Sequence, residues 1–311
     1  MSGLLDSVDQ RTRLVGQNRF ELLLFRLGRN QLFAINVFKV KEVLKLPRLN
    51  ALPQSNPYIC GVANMRGLTV PVIDLSAAIG MPATVVTDAS HMIVAEYNGS
   101  VQGFLVSDVE RIVNLDWSDV MPPPATAGRA HYLTAITRLQ DNSLVEIVDV
   151  EKVLAEITPF STEVSEDVMK QDLHKLAEGK EILVVDDSQT ARDQVRITLS
   201  HLGVRITEAV NGTDALEQLK AFASLGDVTQ KFVMVITDAE MPEMDGYRLT
   251  TEIRNDPDLK NLYIVLHTSL SGTFNKAMVQ KVGCNDFLPK FESDRLAEKV
   301  LERISDLYAV G

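Results

Sequence analysis

Long apolar runs are missing from this 311-residue chain. No stretch approaches the roughly 18–20 apolar residues of a membrane helix. The first sixteen residues carry Asp6, Asp9, Arg11 and Arg13 where a signal peptide would have an apolar core. The expectation is a cytoplasmic protein with no direct membrane insertion, in which the sequons at Asn98-Gly-Ser and Asn211-Gly-Thr are turns. Cysteine is scarce. Cys60 and Cys284 stand alone and far apart, which excludes a cysteine metal site and any disulfide framework beyond one bridge, and fits buried reduced thiols. Basic clusters are missing too. Residues 1–160 hold 14 Lys and Arg against 16 Asp and Glu, and residues 161–311 hold 17 against 26, so most of the net charge of −11 lies in the second half. Phosphate backbones need clustered Lys and Arg, so nucleic acid is not an expected partner. Neither Gly-x-x-x-x-Gly-Lys-Ser/Thr nor Gly-x-Gly-x-x-Gly occurs, so neither nucleotide-binding fingerprint is present.

The length favours two domains. From Glu181 onward, short β-rich runs alternate with helical patterns: strands at Ile182–Val185, Val204–Glu208, Val233–Thr237, Tyr263–His267 and Asp286–Leu288, and helices running to Leu202 and over Gly212–Phe222, Tyr247–Arg254, Phe274–Val282 and Ser293–Leu307. Five strands alternating with five helices predict a doubly wound parallel sheet. The connection Ala223–Lys231 is long for such a fold.

Polar residues sit where these strands end. Asp186 and Asp187 follow the first strand, Asp238 the third and Thr268 the fourth, and Lys290 closely follows the fifth. Right-handed crossovers bring these ends together at the carboxyl edge of the sheet. Three carboxylates in one pocket repel one another unless a cation intervenes. Mg²⁺ suits a site of few carboxylates, waters and a phosphoryl oxygen. Asp186, Asp187 and Asp238 are the candidate ligands, with the backbone carbonyl of Glu240 as a fourth. Asp238 is then the nucleophile that forms an acyl phosphate, Lys290 offsets phosphoryl charge and the Thr268 hydroxyl bonds a phosphoryl oxygen. His267 is a strand residue rather than a general base. The joint pattern of Asp186-Asp187, Asp238-x-x-Met241-Pro242-x-Met244-Asp245-Gly246, Thr268 and Phe287-Leu288-Pro289-Lys290 resembles two-component receiver domains across residues 180–308. The resemblance implies a flavodoxin-like receiver with Asp238 as phosphoacceptor, Asp186 and Asp187 as metal ligands, and signalling roles for Thr268 and Lys290. The aromatic switch position, three before the lysine, is Phe287. Many receivers have tyrosine there, so a switch at Phe287 works by ring burial alone. Glu240, near the acyl phosphate, and Leu270, which cannot guide water, predict slow self-dephosphorylation.

The first half has a different texture. Short strand-like runs (Phe20–Leu27, Gln31–Val37, Tyr58–Asn64, Leu68–Asp74, His91–Tyr97, Val101–Ser107, Glu110–Leu115, Tyr132–Arg138 and Leu144–Val148) are split by turns such as Gly28-Arg29-Asn30 and interrupted by helical pieces at Leu75–Ile79 and Val150–Ile157. This pattern predicts small all-β barrels. The turn Gly61-Val-Ala-Asn64-Met-Arg66-Gly67, followed by Pro71-Val-Ile-Asp74-Leu75, is similar to the signature of CheW-like coupling domains, and the similarity extends over residues 18–157. It implies two packed five-stranded barrels without a catalytic site. It also implies that Asn64, Arg66 and Gly67 contribute to binding a chemotaxis histidine kinase and the cytoplasmic tips of chemoreceptors. Residues 1–17 read as a short amphipathic helix. Residues 158–179 read as a linker with a helix capped by Ser165 and closed by Gly179, and its His174 is read as a surface residue.

Together the halves resemble the CheV-type chemotaxis coupling proteins. The resemblance implies a non-enzymatic adaptor, recruited to membrane-associated receptor arrays and tuned by phosphorylation of Asp238. A phosphate sink that drains the kinase is the alternative. A receiver-controlled enzyme is disfavoured, because residues 1–160 offer neither a nucleophile with a base nor a metal cluster.

Overall fold

The computed structural model describes residues 19–28, 31–53, 55–97, 100–116, 119–121, 132–157, 163–165, 168, 174–268, 281–290 and 292–309. The expected helix in residues 1–17, Leu270 and nearly all of the helix expected at 274–282 lie outside them. The fold divides into two compact units, Arg19–Pro159 and the chain from Phe160 onward.

The first unit holds two sheets. One has the order β8-β1-β2-β11-β10-β9, the other β3-β6-β7-β5-β4. The strands are β1 (Arg19–Arg26), β2 (Leu32–Asn36), β3 (Val40–Lys45), β4 (Ile59–Met65), β5 (Leu68–Asp74), β6 (His91–Tyr97), β7 (Ser100–Val106), β8 (Asp108–Asp116), β9 (Val120–Met121), β10 (Leu133–Arg138) and β11 (Leu144–Val148). Two helices, α1 (Leu75–Ala78) and α2 (Val150–Ile157), accompany them. Alternation builds each core: Leu22, Leu24, Ala34, Val145 and Ile147 line one sheet, and Ala63, Val72, Met92, Val94 and Leu105 the other. The expectation of two small β subdomains holds, with five strands in one sheet and six in the other. The sixth is β9, two residues long. Strand β3 also went unread as a strand, because three of its six residues are charged. It lies at a sheet edge, where Lys41 pairs with Glu96 at 2.7 Å and Glu42 with Arg66 at 3.0 Å. Edge strands tolerate charge, and charge there blocks unwanted strand pairing.

The second unit is a five-stranded, all-parallel sheet of order β13-β12-β14-β15-β16, built from β12 (Glu181–Val185), β13 (Arg205–Ala209), β14 (Phe232–Asp238), β15 (Ile264–Thr268) and β16 (Asp286–Pro289). This is the flavodoxin-like order. The helices are α3 (His174–Ala177), α4 (Gln189–Ser200), α5 (Gly212–Ala223), α6 (Val228–Lys231), α7 (Gly246–Asn255) and α8 (Ser293–Ala309). The continuous apolar strands follow from burial on both faces. Ile182 and Val184 join Val195, Leu199, Val300 and Ile304 on one side, while Leu183 and Val185 join Ala215, Leu219 and Leu249 on the other. Side-chain caps at Ser188, Asn211, Asp227 and Asp245 start α4 to α7. The long connection before β14 contains α6. No helix among the described residues is long and apolar enough to cross a membrane.

The segment between the β-rich unit and the parallel sheet has its own anchorage. Val168 and Ala177 are buried in the core that α4 and α8 cover, with Val164 and Leu176 packed against it. The Ser165 backbone N–H donates to Asp294 Oδ1 at 2.7 Å, in the first turn of α8. Gly179, at φ +75°, turns the chain out of α3 towards β12, in the left-handed conformation expected after a helix.

Candidate functional site

The sheet order reverses between β12 and β14, and ligands of open α/β sheets bind at that point, outside the carboxyl ends of the strands. Asp186 and Asp187 leave β12 there and Asp238 ends β14. The carboxylate oxygens of the three lie within 4.8 Å of one another. Asp186 and Asp238 are buried and Asp187 is half-buried, so the cluster opens to solvent on the Asp187 side. Lys290 follows β16 and is fully buried, with Nζ 2.7 Å from Asp186 Oδ2 and 3.1 Å from Asp238 Oδ2. Its own N–H donates to the Thr268 carbonyl at 3.0 Å, which fixes its place relative to β15. Thr268 is buried at the end of β15. The expected convergence of Asp186, Asp187, Asp238, Thr268 and Lys290 at one sheet edge is therefore what the fold produces. Glu240 lies half-buried in the loop after β14, and its carboxylate is not part of the three-Asp cluster.

Two of the acids accept a backbone N–H through Oδ1. Asp186 Oδ1 accepts the Ser188 N–H at 2.9 Å, and Asp238 Oδ1 accepts the Ala239 N–H at 2.7 Å. Both therefore turn Oδ2 toward Lys290. Three formal negative charges face one positive charge. The donors are hard oxygens, partly open to solvent, and such a set fits a divalent cation of the Mg²⁺ kind.

Arg192 and Tyr247, which sequence reasoning did not single out, and Gly246, which it read as a breaker within the motif, complete the construction. Arg192, buried on α4, donates from Nη1 to the Asp186 carbonyl at 2.6 Å, from Nε to Glu208 at 3.1 Å and from Nη2 to Gln189 at 2.5 Å. The signal available was a charged residue on the apolar stripe of Ala191, Val195 and Leu199. Gly246 starts α7 against the Asp238 backbone: a Cβ there would lie 2.0 Å from the Asp238 carbonyl oxygen. Tyr247 follows it and is buried with Ala239 and Leu266, against Phe287 and Cys284. Phe287 itself is half-buried. His267 is a buried strand residue of β15.

The second candidate surface is the β4–β5 hairpin. Met65 pairs with Leu68, so Arg66 and Gly67 are the two central turn residues. Both have positive φ, +51° and +84°, which is the type I′ geometry that matches strand twist. The turn holds the Arg66 side chain 83% exposed, with Nη2 paired to Glu42 at 3.0 Å. Leu68 beside it is 58% exposed, and Asn64 lies exposed on β4 opposite Thr69.

Comparison with known proteins accounts for both halves. Residues 21–158 match the CheW-like domain family, and residues 182–301 match the response regulator receiver domain family. Chemotaxis protein CheV3 of Helicobacter pylori (strain ATCC 700392 / 26695) is 32% identical over 276 residues, covering 86% of this chain and 87% of its own. The chain belongs to the CheV family of chemotaxis proteins. A second CheV relative of that organism, CheV1, is 29% identical over 308 residues, with 93% of this chain and 95% of its own covered. The crystal structure of the scaffolding protein TtCheW from Thermoanaerobacter tengcongensis covers 43% of this chain and 87% of its own at 25% identity, with a TM-score of 0.40. CheV architecture thus places the Arg66 hairpin in a CheW-like domain and the acid pocket in a receiver. The chain is a chemotaxis adaptor with a receiver domain attached.

Proposed function

We propose that this CheV-family adaptor couples chemoreceptors to their histidine kinase through the CheW-like domain, and that phosphorylation of Asp238 tunes the coupling. The observation that carries the receiver half is Lys290 Nζ between Asp186 Oδ2 and Asp238 Oδ2 at the switch point of a parallel sheet. Asp186 and Asp187, with Asp238 and the Glu240 carbonyl, would hold Mg²⁺, which supplies charge neutralisation for the transferring group when bound. The chain's own residues do the rest. A carboxylate oxygen of Asp238 forms the O–P bond as the P–N bond of a kinase phosphohistidine breaks, and the imidazole leaves with that electron pair. Lys290 balances the charge of the new phosphoryl oxygens and the Thr268 hydroxyl donates to one of them. The phosphorylated receiver then shifts an existing conformational equilibrium. For the coupling half, the exposed Arg66-Gly67 turn, with Asn64, is the contact surface for the kinase and receptor tips. This assembly would place the protein at cytoplasmic receptor arrays.

Acetyl phosphate with Mg²⁺ tests the receiver reading. Wild type gains an acid-stable, hydroxylamine-labile phosphate and Asp238→Asn does not; equal labelling of both refutes it. Arg66→Ala tests the coupling reading: kinase activation in a reconstituted array falls while Asp238 labelling persists, and unchanged activation refutes it. A phosphate sink remains the second reading. It requires the receiver alone to reproduce the cellular effect, whereas the adaptor reading requires the full chain.

A further inference from the structure

Tyr247 carries a buried group that the phosphoacceptor chemistry leaves unused. Its ring packs in a small cluster at the carboxyl end of the sheet, with Ala239 and Leu266 buried beside it and Val282, Cys284 and Phe287 against it. Three of these neighbours adjoin the site residues in sequence: Ala239 follows Asp238, Leu266 lies two before Thr268, and Phe287 lies three before Lys290. Tyr247 is 4% exposed, and its hydroxyl finds no hydrogen-bond partner among the described residues. A buried donor without a partner is destabilising, and phenylalanine would fill the same space without that penalty. Burial pushes the phenol's ionisation far up, and the charges of Glu240, Asp245 and Asp238 act in the same direction, so the group stays a neutral donor. The usual receiver aromatic position holds Phe287, which has no hydroxyl, and that ring packs against one that has. The route from the site is short. Ala239 N–H is held by Asp238 Oδ1 at 2.7 Å, so phosphorylation of the carboxylate changes the acceptor that fixes Ala239, and Ala239 is buried in one cluster with Tyr247.

We propose that the Tyr247 hydroxyl is the polar switch group of this receiver, without a partner while Asp238 is a free carboxylate and donating to the Glu240 carboxylate once Asp238 carries a phosphoryl group. The proposal rests on Asp238 being the phosphoacceptor. Full-length wild type, Tyr247→Phe and, as a control for losing a hydroxyl elsewhere, Tyr263→Phe are titrated with beryllium fluoride in Mg²⁺ and followed by thermal unfolding and tyrosine difference absorption. Ligand-free Tyr247→Phe melts above wild type, because the orphaned donor is gone. It binds beryllium fluoride roughly three- to tenfold more weakly, the worth of one net hydrogen bond. The ligand-induced tyrosine band disappears in Tyr247→Phe and persists in Tyr263→Phe. Wild-type affinity in Tyr247→Phe, or a band that survives the change, overturns the Tyr247 role while leaving the phosphoacceptor reading in place. Failure of wild type itself to bind beryllium fluoride overturns both.

Discussion

Adding one methyl group at Gly246 tests how the pocket is built. A Cβ there would stand 2.0 Å from the Asp238 carbonyl oxygen, 3.0 Å from the Asp238 carbonyl carbon and 3.0 Å from Thr237 Oγ1. Carbon–oxygen contacts approach to about 3.3 Å, so the start of α7 and the end of β14 must part by more than about 1 Å. Two of the three opposing atoms are backbone, which cannot rotate away. The Gly246 N–H bond to the Ala239 carbonyl, 3.1 Å long, would open with that movement. Against this, alanine favours a helix over glycine by about 1 kcal/mol. Overpacking typically costs about 1–3 kcal/mol and the lost hydrogen bond about 1 more, so Gly246→Ala should lower stability by a net of roughly 1–3 kcal/mol. The effect on chemistry should be larger, because a displacement of ~1 Å at a reacting group can cost ~10²-fold in rate. Urea unfolding measures the first term, and labelling by acetyl phosphate, at a temperature where both proteins are folded, measures the second. Gly67→Ala is the control. Its added Cβ meets nothing within 4 Å and the strain stays in the hairpin turn, so labelling of Asp238 is unaffected. A Gly246→Ala protein with the wild-type midpoint and labelling rate would refute the close-approach reasoning.

Arg192→Ala frees the Asp186 carbonyl and should weaken Mg²⁺ binding roughly 10- to 100-fold, the usual range for an outer-shell partner; Arg192→Lys should recover only part, since an ammonium cannot span three acceptors in a planar fork. A Mg²⁺ titration with wild-type affinity in the alanine variant counts against this. Val168→Ala should cost the receiver about 1–3 kcal/mol by leaving a gap in its core, whereas a change in a detached linker would leave the urea midpoint unmoved. Cys284 supplies a pH dependence. Burial pushes its thiol from 9.0 up to about 11, so above pH 9 the unfolded chain loses this proton while the folded one keeps it. That contribution to stability is whole below pH 9 and is lost as pH rises toward 11, by up to roughly 2–3 kcal/mol. Cys284→Ala should flatten the decline, and a decline of unchanged depth in that variant would show another group responsible.

The acid pocket was legible because it depends on features that sequence order and chirality fix. Runs such as Val233–Thr237 read as strands buried on both faces, all of β14 is buried, and right-handed crossovers leave the carboxyl ends of β12, β14 and β15 at one edge. Arg192 and Gly246 were not legible, because their roles come from what lies across the fold. A buried arginine looks like any helix arginine until Glu208 and the Asp186 carbonyl are in place, and Gly246 looks like a simple breaker until α7 closes on Asp238. Strand β3 was hidden by its own charges. Val168 reads as part of a linker because the apolar core it joins is formed by α4 and α8, which come later in the chain.

Lys290 explains why a pocket so readable in sequence is suited to two states. Its ammonium is fully buried, and a charge with no exposure is tolerated only when paired. In the structure it is paired with Asp186 Oδ2 at 2.7 Å and Asp238 Oδ2 at 3.1 Å. On the proposed reading, phosphorylation removes the Asp238 carboxylate as a charged partner and places phosphoryl oxygens nearby. The buried cation must re-pair, and neither arrangement can be passed through gradually without leaving a charge unpaired in a dry site. Lys290 takes its backbone position from Thr268 and follows Phe287 by three residues, so the re-pairing is felt on both β15 and β16. A site whose central cation exchanges one set of acceptors for another is bistable by its electrostatics, and a bistable element is what a receiver attached to an adaptor needs in order to report occupancy of a single aspartate.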